Sequence, residues 1–521
     1  MQLTQRPRPR ILAVAIAGVG LVATTAFAGL AHAQAARPKH HVTLPAGRYL
    51  VGAATRDITP IGTINLGGYG LGDGSFFPQP VIGRGGRDKA QGEHIRSRAM
   101  VVGDGNEYVA LADIETQGYF WKYNDGPWGI EDIAARVSKL RPDLRPDHIL
   151  IASDHTHAGP DTIGAWGGVS NAYMQTITDQ TVAAIVAAYD SRTLARLVGG
   201  TSDASDLVYN QACSEGLNQS KKPAYSGPPL CATPGKDGIV RVLQAQDLKG
   251  RTVVTFMAYA AHGTAGGGRG VNGDWGQYLS DAMAAKYGGV GLAMVGALGG
   301  TQPCRAACSF TSPKNPGYNL KDRKPAIVAN YLAHVVASLK NATVIRGPVG
   351  GTQSFIREPI LGPAVAGLFL AGSHTGTHLM RSTKSPYVVG QTIRTVASAM
   401  RIGSVLINGN PGEGFPAIGQ GVRDNITGFT MEIQLGLAND QLGYLIAPVS
   451  YVPIIAAEVA VNDNIIFNVS PTIGDHSMCA TIRLSLRLGF AGASPGACAP
   501  YDAVDATGDP IGALPVGGLT L

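Results

Sequence analysis

Short runs of β-branched and aliphatic residues recur along this chain, and several of them end in a glycine-rich turn that carries histidine or glutamate. Amphipathic stretches long enough for helices lie between these runs. Alternation of strands and helices is typical of an α/β protein, so we predict a mixed β-sheet core flanked by helices. Open α/β sheets build their sites at the carboxyl ends of strands, and we expect a loop-rich metal site there.

The periodicity predicts the bounds of the main elements. Helices are predicted over 130–140, 173–189, 275–287, 326–339 and 391–401. Strands are predicted over 108–112, 148–152, 252–259, 292–297, 404–407, 429–435, 465–469 and 481–488.

The composition indicates a globular protein with a large core. Hydrophobic residues make up 45% of the 521 residues and charged residues only 15%, against about 25% charged in an average soluble domain. These values exclude a disordered chain, a coiled coil and a charge-driven nucleic-acid binder, so no nucleic-acid partner is expected. With 12 histidines and 36 acidic residues, polar chemistry is scarce. A histidine or glutamate beside a glycine-rich turn is therefore informative.

The N-terminus has the three-part layout of a secretory signal. Three arginines lie within the first ten residues, an apolar run covers 11–30, and Ala31-His32-Ala33 supplies small residues at a cleavage point. We predict a signal peptide over 1–33, a polar leader over 34–47, and a secreted protein, extracellular or periplasmic. The alternative is a retained membrane anchor, since the run is about long enough to span a bilayer.

Export favours disulfide bonds, and the six cysteines form three pairs of neighbours along the chain. The candidate pairs are Cys213 with Cys231, Cys304 with Cys308, and Cys479 with Cys498. Six cysteines allow 15 connectivities, so this pairing is a hypothesis. A metal cluster at the second pair is the alternative, but no further pair at zinc-ligand spacing accompanies it.

Polar residues follow the predicted strands at their carboxyl ends. His155 and His157 follow one strand, His262 follows another, and Glu413 lies in a glycine-proline loop after a third. Two histidines two positions apart point to the same side of an extended segment and can approach one centre. Imidazole and carboxylate suit Zn²⁺, which lowers the pKa of a bound water and polarises a carbonyl for hydrolysis. The His-x-His pair alone also fits a hydrogen-bonded loop without a metal.

Several segments, in this order, resemble the neutral (non-lysosomal) ceramidase family of zinc amidohydrolases. The matching segments are Val51-Gly52-Ala53-Ala54-Thr55-Arg56-Asp57-Ile58-Thr59-Pro60, Gly67-Gly68-Tyr69-Gly70, Arg96-Ser97-Arg98-Ala99, Ala112-Asp113-Ile114 and His155-Thr156-His157-Ala158-Gly159-Pro160, followed by His262, Glu413 and Tyr444. The resemblance covers about 48–450, which we take as the catalytic domain. It implies hydrolysis of the N-acyl bond of ceramide.

The resemblance also implies roles for single residues. The zinc ligands of the family fall on His155, His262, Glu413 and Tyr444, with one Zn²⁺ per chain. His157 falls on a second active-site histidine that contacts the scissile group, where it stabilises an oxyanion or moves a proton.

The chain departs from the family pattern in three places. Gln302 stands where the family has its active-site serine, and we keep it as a catalytic position. The arginine-rich stretch that meets the polar head of ceramide corresponds to 208–212, which contains no arginine. The tail over 451–521 is too short for the immunoglobulin-like domain of the family and is predicted to be an appendage. The metal centre is thus retained, while substrate recognition is altered.

Three further residues are candidates near the site. His94 precedes a segment that matches the family and either lines the site or lies on the surface. Asp113 and Asp274 are candidates for orienting the histidine ligands, although Asp274 equally fits a helix cap.

These observations lead to three functional hypotheses. The first is a secreted zinc amidohydrolase that uses metal-bound water to cleave ceramide or a related N-acyl lipid. The second is a related metal hydrolase for another amide or ester. The third is a non-catalytic secreted protein that binds a lipid or glycan. The expected partners are a lipid or amide substrate and transient contact with a membrane surface.

Overall fold

The computed structural model describes residues 43–68, 80–82, 93–123, 125–210, 235–266, 270–303, 320–361, 392–446 and 467–501. The predicted signal peptide over 1–33 lies outside these ranges. Within them, no helix combines the length and the apolar character needed to cross a membrane.

The described strands fall into two larger sheets and four short pairs. The strands are β1 Arg48–Asp57, β2 Thr63–Asn65, β3 Pro80–Ile82, β4 Arg96–Gly103, β5 Tyr108–Ile114, β6 Ile149–Ser153, β7 Thr193–Asp203, β8 Val208–Asn210, β9 Ile239–Asp247, β10 Thr252–Tyr259, β11 Val290–Val295, β12 Thr301–Pro303, β13 Thr343–Val344, β14 Val349–Pro359, β15 Thr392–Ile402, β16 Val405–Gly409, β17 Glu413–Gly414, β18 Ile426–Thr427, β19 Met431–Leu435, β20 Tyr444–Leu445 and β21 Ala491–Gly492.

The larger sheet has the order β11-β10-β9-β7-β1-β4-β5-β6, and β13 pairs with β7. It is mixed, because β10 pairs with β11 and β5 with β6 in parallel while the other neighbours are antiparallel. The second sheet has the order β14-β15-β16-β19, with β16 and β19 parallel. The short pairs are β2 with β3, β8 with β12, β17 with β20, and β18 with β21.

Helices cover the outer faces of both sheets. The described α-helices are α1 Ile130–Leu140, α2 Asn171–Asp190, α3 Asp274–Tyr287, α4 Leu320–Lys340, α5 Pro416–Asn425 and α6 Ile473–Arg487. Short 3₁₀ helices cover Pro146–His148, Ser205–Leu207 and Gly496–Tyr501. Helix α2 packs on β1 and β4, α3 on β11, and α4 on β7 and β9, whereas α6 packs on β14 and β15.

The alternation of side chains along β4 explains why the larger sheet is covered on both faces. Ala99 and Val101 belong to the core beneath the α1 and α2 helices. Met100 and Val102 point to the other face and pack with residues of the second sheet such as Ile407. The molecule is therefore layered as helices, sheet, sheet and helix, and the predicted α/β fold class is confirmed.

Three predicted elements differ from the structure. The segment predicted as a helix over 391–401 is the strand β15. Residues 481–488 were expected as a strand but belong almost entirely to α6. Of the strand expected over 465–469, the described residues 467–469 form a turn.

A disulfide joins Cys479 of α6 to Cys498 in the last 3₁₀ turn. This pair is one of the three proposed from the sequence. The other four cysteines, Cys213, Cys231, Cys304 and Cys308, lie outside the described residues.

Candidate metal centre

The candidate ligands come from loops that follow strands at one edge of the two sheets. His155 lies two residues after β6, and His262 lies three residues after β10. Their loops run side by side, because Thr156 and Gly263 form a β-bridge and the His157 amide donates to the Gly263 carbonyl at 3.0 Å. The backbone therefore brings the two histidine loops together before any side chain is considered.

Glu413 and Tyr444 come from the loops after β16 and β19, the parallel strands of the second sheet. They are register partners in the parallel pair of β17 and β20, and the Glu413 amide donates to Gly443 at 2.7 Å. The Tyr444 hydroxyl donates a hydrogen bond to the Glu413 carboxylate. The tyrosine and histidine sides of the site also meet, with the rings of His262 and Tyr444 6.3 Å apart.

Backbone carbonyl groups set the orientation of two imidazole rings. The Nδ1 atom of His155 lies 2.7 Å from the Gln117 carbonyl oxygen, and Nδ1 of His262 lies 2.7 Å from that of Thr301. Since a carbonyl oxygen only accepts, each Nδ1 carries a proton, and in the neutral ring Nε2 then presents a lone pair. This is the tautomer that a metal bound at Nε2 requires.

The lone pairs converge on one point. The ligand atoms of His155, His157 and His262 all lie within 4.8 Å of one another. The Nε2 atoms of His155 and His157 are 3.2 Å apart. Glu413 Oε2 is 3.0 Å from Nε2 of His262 and 3.6 Å from Nε2 of His155.

With neutral rings, the two contacts of Glu413 Oε2 oppose acceptor to acceptor, which is unfavourable unless a cation lies between the atoms. His262 Nε2 and Glu413 Oε2 are both buried, and neither has a hydrogen-bond partner of normal geometry in the part of the chain that the structure describes. A buried acceptor left unpaired costs about 1–3 kcal/mol, and more when it is charged. The donor set of imidazole, carboxylate and phenol oxygen therefore fits a divalent cation, which would satisfy these atoms together.

The ionisation states of His155 and Glu413 agree with the binding of a divalent cation. Burial lowers the pKa of His155 to about 4, so the ring is neutral at pH 7 and free to coordinate. Burial alone would raise the pKa of Glu413, but the neighbouring His155 and His262 and the Tyr444 hydroxyl lower it overall, so the carboxylate is ionised.

His157 differs from its two neighbours in having a less buried ring held beneath a glycine turn. A Cβ atom added at Gly68, whose φ is +106°, would lie 2.5 Å from Cγ of the His157 ring. No side chain larger than hydrogen fits there without displacing His157. This close approach gives the glycines at 67–68 a structural reason.

Asp274 and Asp113 do not hold the histidine rings, because Gln117 and Thr301 occupy the Nδ1 positions. Asp274, at the start of α3 with φ of +49°, accepts hydrogen bonds from the amides of Ala265 and Gly266. It thus fastens the loop after His262. The next residue, Trp275, donates its indole N–H to the His262 carbonyl at 2.9 Å.

Asp113 lies in a buried charged cluster behind the site. It is the register partner of Arg98, which binds Glu115 and Asp281 instead. Burial and the charge of Glu115 raise the pKa of Asp113 well above its ordinary value. The expectation that Asp113 and Asp274 orient ligand rings is therefore corrected: one belongs to this cluster and the other to a loop.

Two other sequence candidates are placed differently. His94 is on the surface, with 45% of its side chain exposed and its Nδ1 atom 2.6 Å from Asp57. Gln302 is buried in β12, where its Oε1 atom accepts from the Thr264 hydroxyl at 2.8 Å. Sequence reasoning missed Thr264, Gln117 and Thr301, and the last two act through backbone carbonyls that carry no side-chain signal.

Comparison with known proteins connects the chain through structure alone. No protein-family model matches the sequence. No curated protein matches it either. Among solved structures, the chain is similar to neutral ceramidase from Pseudomonas aeruginosa, with a TM-score of 0.63 and 16% identity over 86% of this chain and 78% of that chain. It is also similar to a ceramidase complexed with C2, with a TM-score of 0.64 and 15% identity over 86% and 77% of the two chains. The sequence resemblance is thereby confirmed for the fold.

Proposed function

We propose that this chain is a secreted, zinc-dependent amidohydrolase that cleaves the N-acyl bond of ceramide or a related lipid amide into fatty acid and amine. One observation carries the proposal. The Nε2 atoms of two imidazoles, each oriented through Nδ1 by a backbone carbonyl, face a buried carboxylate, an arrangement that a cation makes favourable.

In this proposal His155, His262, Glu413 and Tyr444 hold one zinc ion. When bound, the ion supplies an electrophile for the acyl carbonyl and acidifies a water molecule. The chain itself fixes the ligand geometry through Gln117 and Thr301.

We assign His157 to proton movement. Its Nε2 atom lies 3.2 Å from Nε2 of His155, so it reaches the same centre without being a required ligand. An imidazole at that place can hold a proton and deliver it to the departing amine nitrogen, which leaves only once it is protonated. The glycine turn over its ring limits the motion of that group.

The substrate class rests on the fold and on the chemistry of the centre. The similar solved structures are ceramidases, one of them in complex with C2. The N-terminal signal pattern and the Cys479–Cys498 disulfide support export, where contact with a membrane surface would bring the enzyme to a lipid.

A second candidate function is hydrolysis of a different amide or ester by the same centre. Gln302 and the strand β8, Val208–Asn210, favour it, because β8 carries no charged side chain for a polar lipid head. A protein that only binds lipid or glycan has no need of the oriented ring nitrogens.

Metal analysis combined with one set of substrates tests the proposal. We expect purified protein to hold about one zinc ion per chain and to hydrolyse fluorescent ceramide, assayed beside a short N-acyl amide and an aryl ester. His155→Ala should lose both metal and activity. His94→Ala, which removes an imidazole from the surface, should keep both.

Zinc should also stabilise the metal-free protein, by about 2.7 kcal/mol at 100 times its dissociation constant. Activity in His155→Ala, or metal-free protein with full activity, would falsify the mechanism. Turnover of the ester or short amide without turnover of ceramide would favour the second candidate.

A further inference from the structure

The oxygen and the nitrogen of the Gln302 side-chain amide differ in their hydrogen bonding. Its Oε1 atom accepts the Thr264 hydroxyl hydrogen at 2.8 Å. Its two N–H groups make no hydrogen bond within the described part of the chain, although the side chain is only 8% exposed. The contact with Thr264 thus fixes which end of the amide is committed to the protein and leaves the donor end available.

Both partners are attached to the candidate metal centre. Thr264 lies two residues after His262 in the same loop. Gln302 directly follows Thr301, whose carbonyl oxygen accepts from both the amide and the Nδ1 atom of His262. The donor end is therefore held by the elements that also orient a proposed ligand.

The strand pair that holds Gln302 carries no charged side chain of its own. In the antiparallel pair of β8 and β12, Gln302 lies opposite the half-buried Tyr209. The Lys236 ammonium reaches the same pair and donates to the Val208 carbonyl at 3.2 Å. The amide N–H groups of Gln302 can only donate, so they favour an oxygen acceptor on a ligand.

We infer that Gln302, positioned by Thr264, donates a hydrogen bond to a substrate oxygen outside the scissile amide, and so selects N-acyl amides that carry a hydroxyl group near that bond. The inference rests on the proposed hydrolase function. The scissile carbonyl has other partners at the centre, since the ligand set and His157 converge there. Gln302 acts from the neighbouring strand β12.

The test uses two pairs of N-acyl amides on the zinc-loaded protein. In each pair a methyl group replaces one hydroxyl group, in the amine portion of one pair and in the acyl portion of the other. For at least one pair we expect the hydroxyl compound to have about tenfold higher kcat/KM, carried mainly by KM.

Four variants separate recognition from folding. Gln302→Met removes both the acceptor for Thr264 and the N–H donors, and it should bring the hydroxyl-to-methyl ratio close to one. Gln302→Glu keeps the acceptor for Thr264 but can only accept from a substrate hydroxyl, so it should lower the ratio less. Thr264→Val should reduce the ratio, and Thr264→Ser, which keeps the hydroxyl group, should preserve it. Equal zinc content across the set shows that the centre is intact.

The same pairs of N-acyl amides are also titrated by calorimetry, which gives the ratio of their Kd values without turnover. Zinc-loaded protein that binds with the expected ratio but cleaves nothing would refute the proposed hydrolysis and support the role of Gln302. A ratio near one in the wild-type protein, a ratio kept in Gln302→Met, or no binding of either pair would overturn the inference.

Discussion

The molecule contains two buried glutamate–histidine contacts that look alike in residue type and differ in the nitrogen that faces the carboxylate. At the candidate metal centre, Glu413 faces Nε2 of His262, whose Nδ1 proton is already donated to a backbone carbonyl. Between β14 and α6, the Nδ1 atom of His476 donates a hydrogen bond to Glu358 Oε1 at 2.8 Å. The first contact joins two acceptors, and the second is a hydrogen bond.

The donors to the two carboxylates make the contrast sharper. In Glu358, Oε1 accepts from His476, and Oε2 accepts hydrogen bonds from the hydroxyl groups of Ser470 and Thr472, at 2.7 and 2.9 Å. The Glu413 carboxylate accepts from the Tyr444 hydroxyl, but the oxygen that faces His262, Oε2, has no hydrogen-bond partner of normal geometry among the described residues. Burial and residue type therefore do not distinguish a structural pair from a metal site, whereas the hydrogen-bond partner of the other ring nitrogen does.

The largest expected difference is in metal binding. Glu413→Gln should lower zinc affinity and amide hydrolysis by at least about 100-fold, since even residues behind the ligands cost 10–100-fold. Glu358→Gln should keep zinc and activity, because its carboxylate does not face the centre. Zinc content by mass spectrometry and kcat/KM measure the two effects, and equal losses in both variants would erase the distinction.

We expect stability to depend on the Glu358 pair, which has no effect on metal binding. Glu358→Ala leaves buried His476, Ser470 and Thr472 without their acceptor, so we expect the free energy of unfolding to fall by about 3 kcal/mol. Urea unfolding of metal-free protein measures this loss.

The matched control is Glu93→Ala, which breaks a partly exposed ion pair with Lys324 and should cost less than about 1 kcal/mol. A loss in Glu358→Ala no larger than in this control would show that the Glu358 network does not hold α6.

The sequence predicted the positions of the candidate ligands better than the shape of the layers around them. Strand ends and glycine turns can be read locally, and His155, His262 and Glu413 follow from them. The carbonyls of Gln117 and Thr301, which decide the tautomers, depend on how distant loops meet. No side-chain pattern encodes them.

Two of the three wrong element predictions, at 391–401 and 481–488, have the same origin in burial on both sides. Strand β15 is central in the second sheet and packs on both faces, so its apolar residues, Ile393, Val396, Ala397 and Met400, reproduce helical spacing by coincidence. In α6 the apolar and polar residues alternate as in a strand. The hydroxyl groups of Thr481 and Ser485 are satisfied inside the helix by the carbonyls four residues earlier, so the alternation does not expose them.

Asp440 is a third buried carboxylate, and it is intermediate between Glu358 and Glu413. We expect it to give the smallest effect, which is visible in the pH dependence of stability. It accepts the Thr395 hydroxyl and the amides of Trp121 and Gln441, yet burial still raises its pKa to about 7. Between about pH 4 and pH 7 the folded chain therefore holds a proton that the unfolded chain has released. Stability must fall as pH rises through this window, by at most about 1.4 kcal/mol per pH unit for this group.

Asp440→Asn keeps the acceptor oxygen and cannot ionise, so its loss of stability between pH 5 and pH 8, followed by urea unfolding, should be smaller than in the wild-type protein. Asp475, whose pKa is raised to about 6 by burial, remains in both proteins and cancels in the comparison. If both proteins lose stability equally, Asp440 is ionised throughout, and three hydrogen-bond donors are enough to hold a buried carboxylate without the cation that we propose for Glu413.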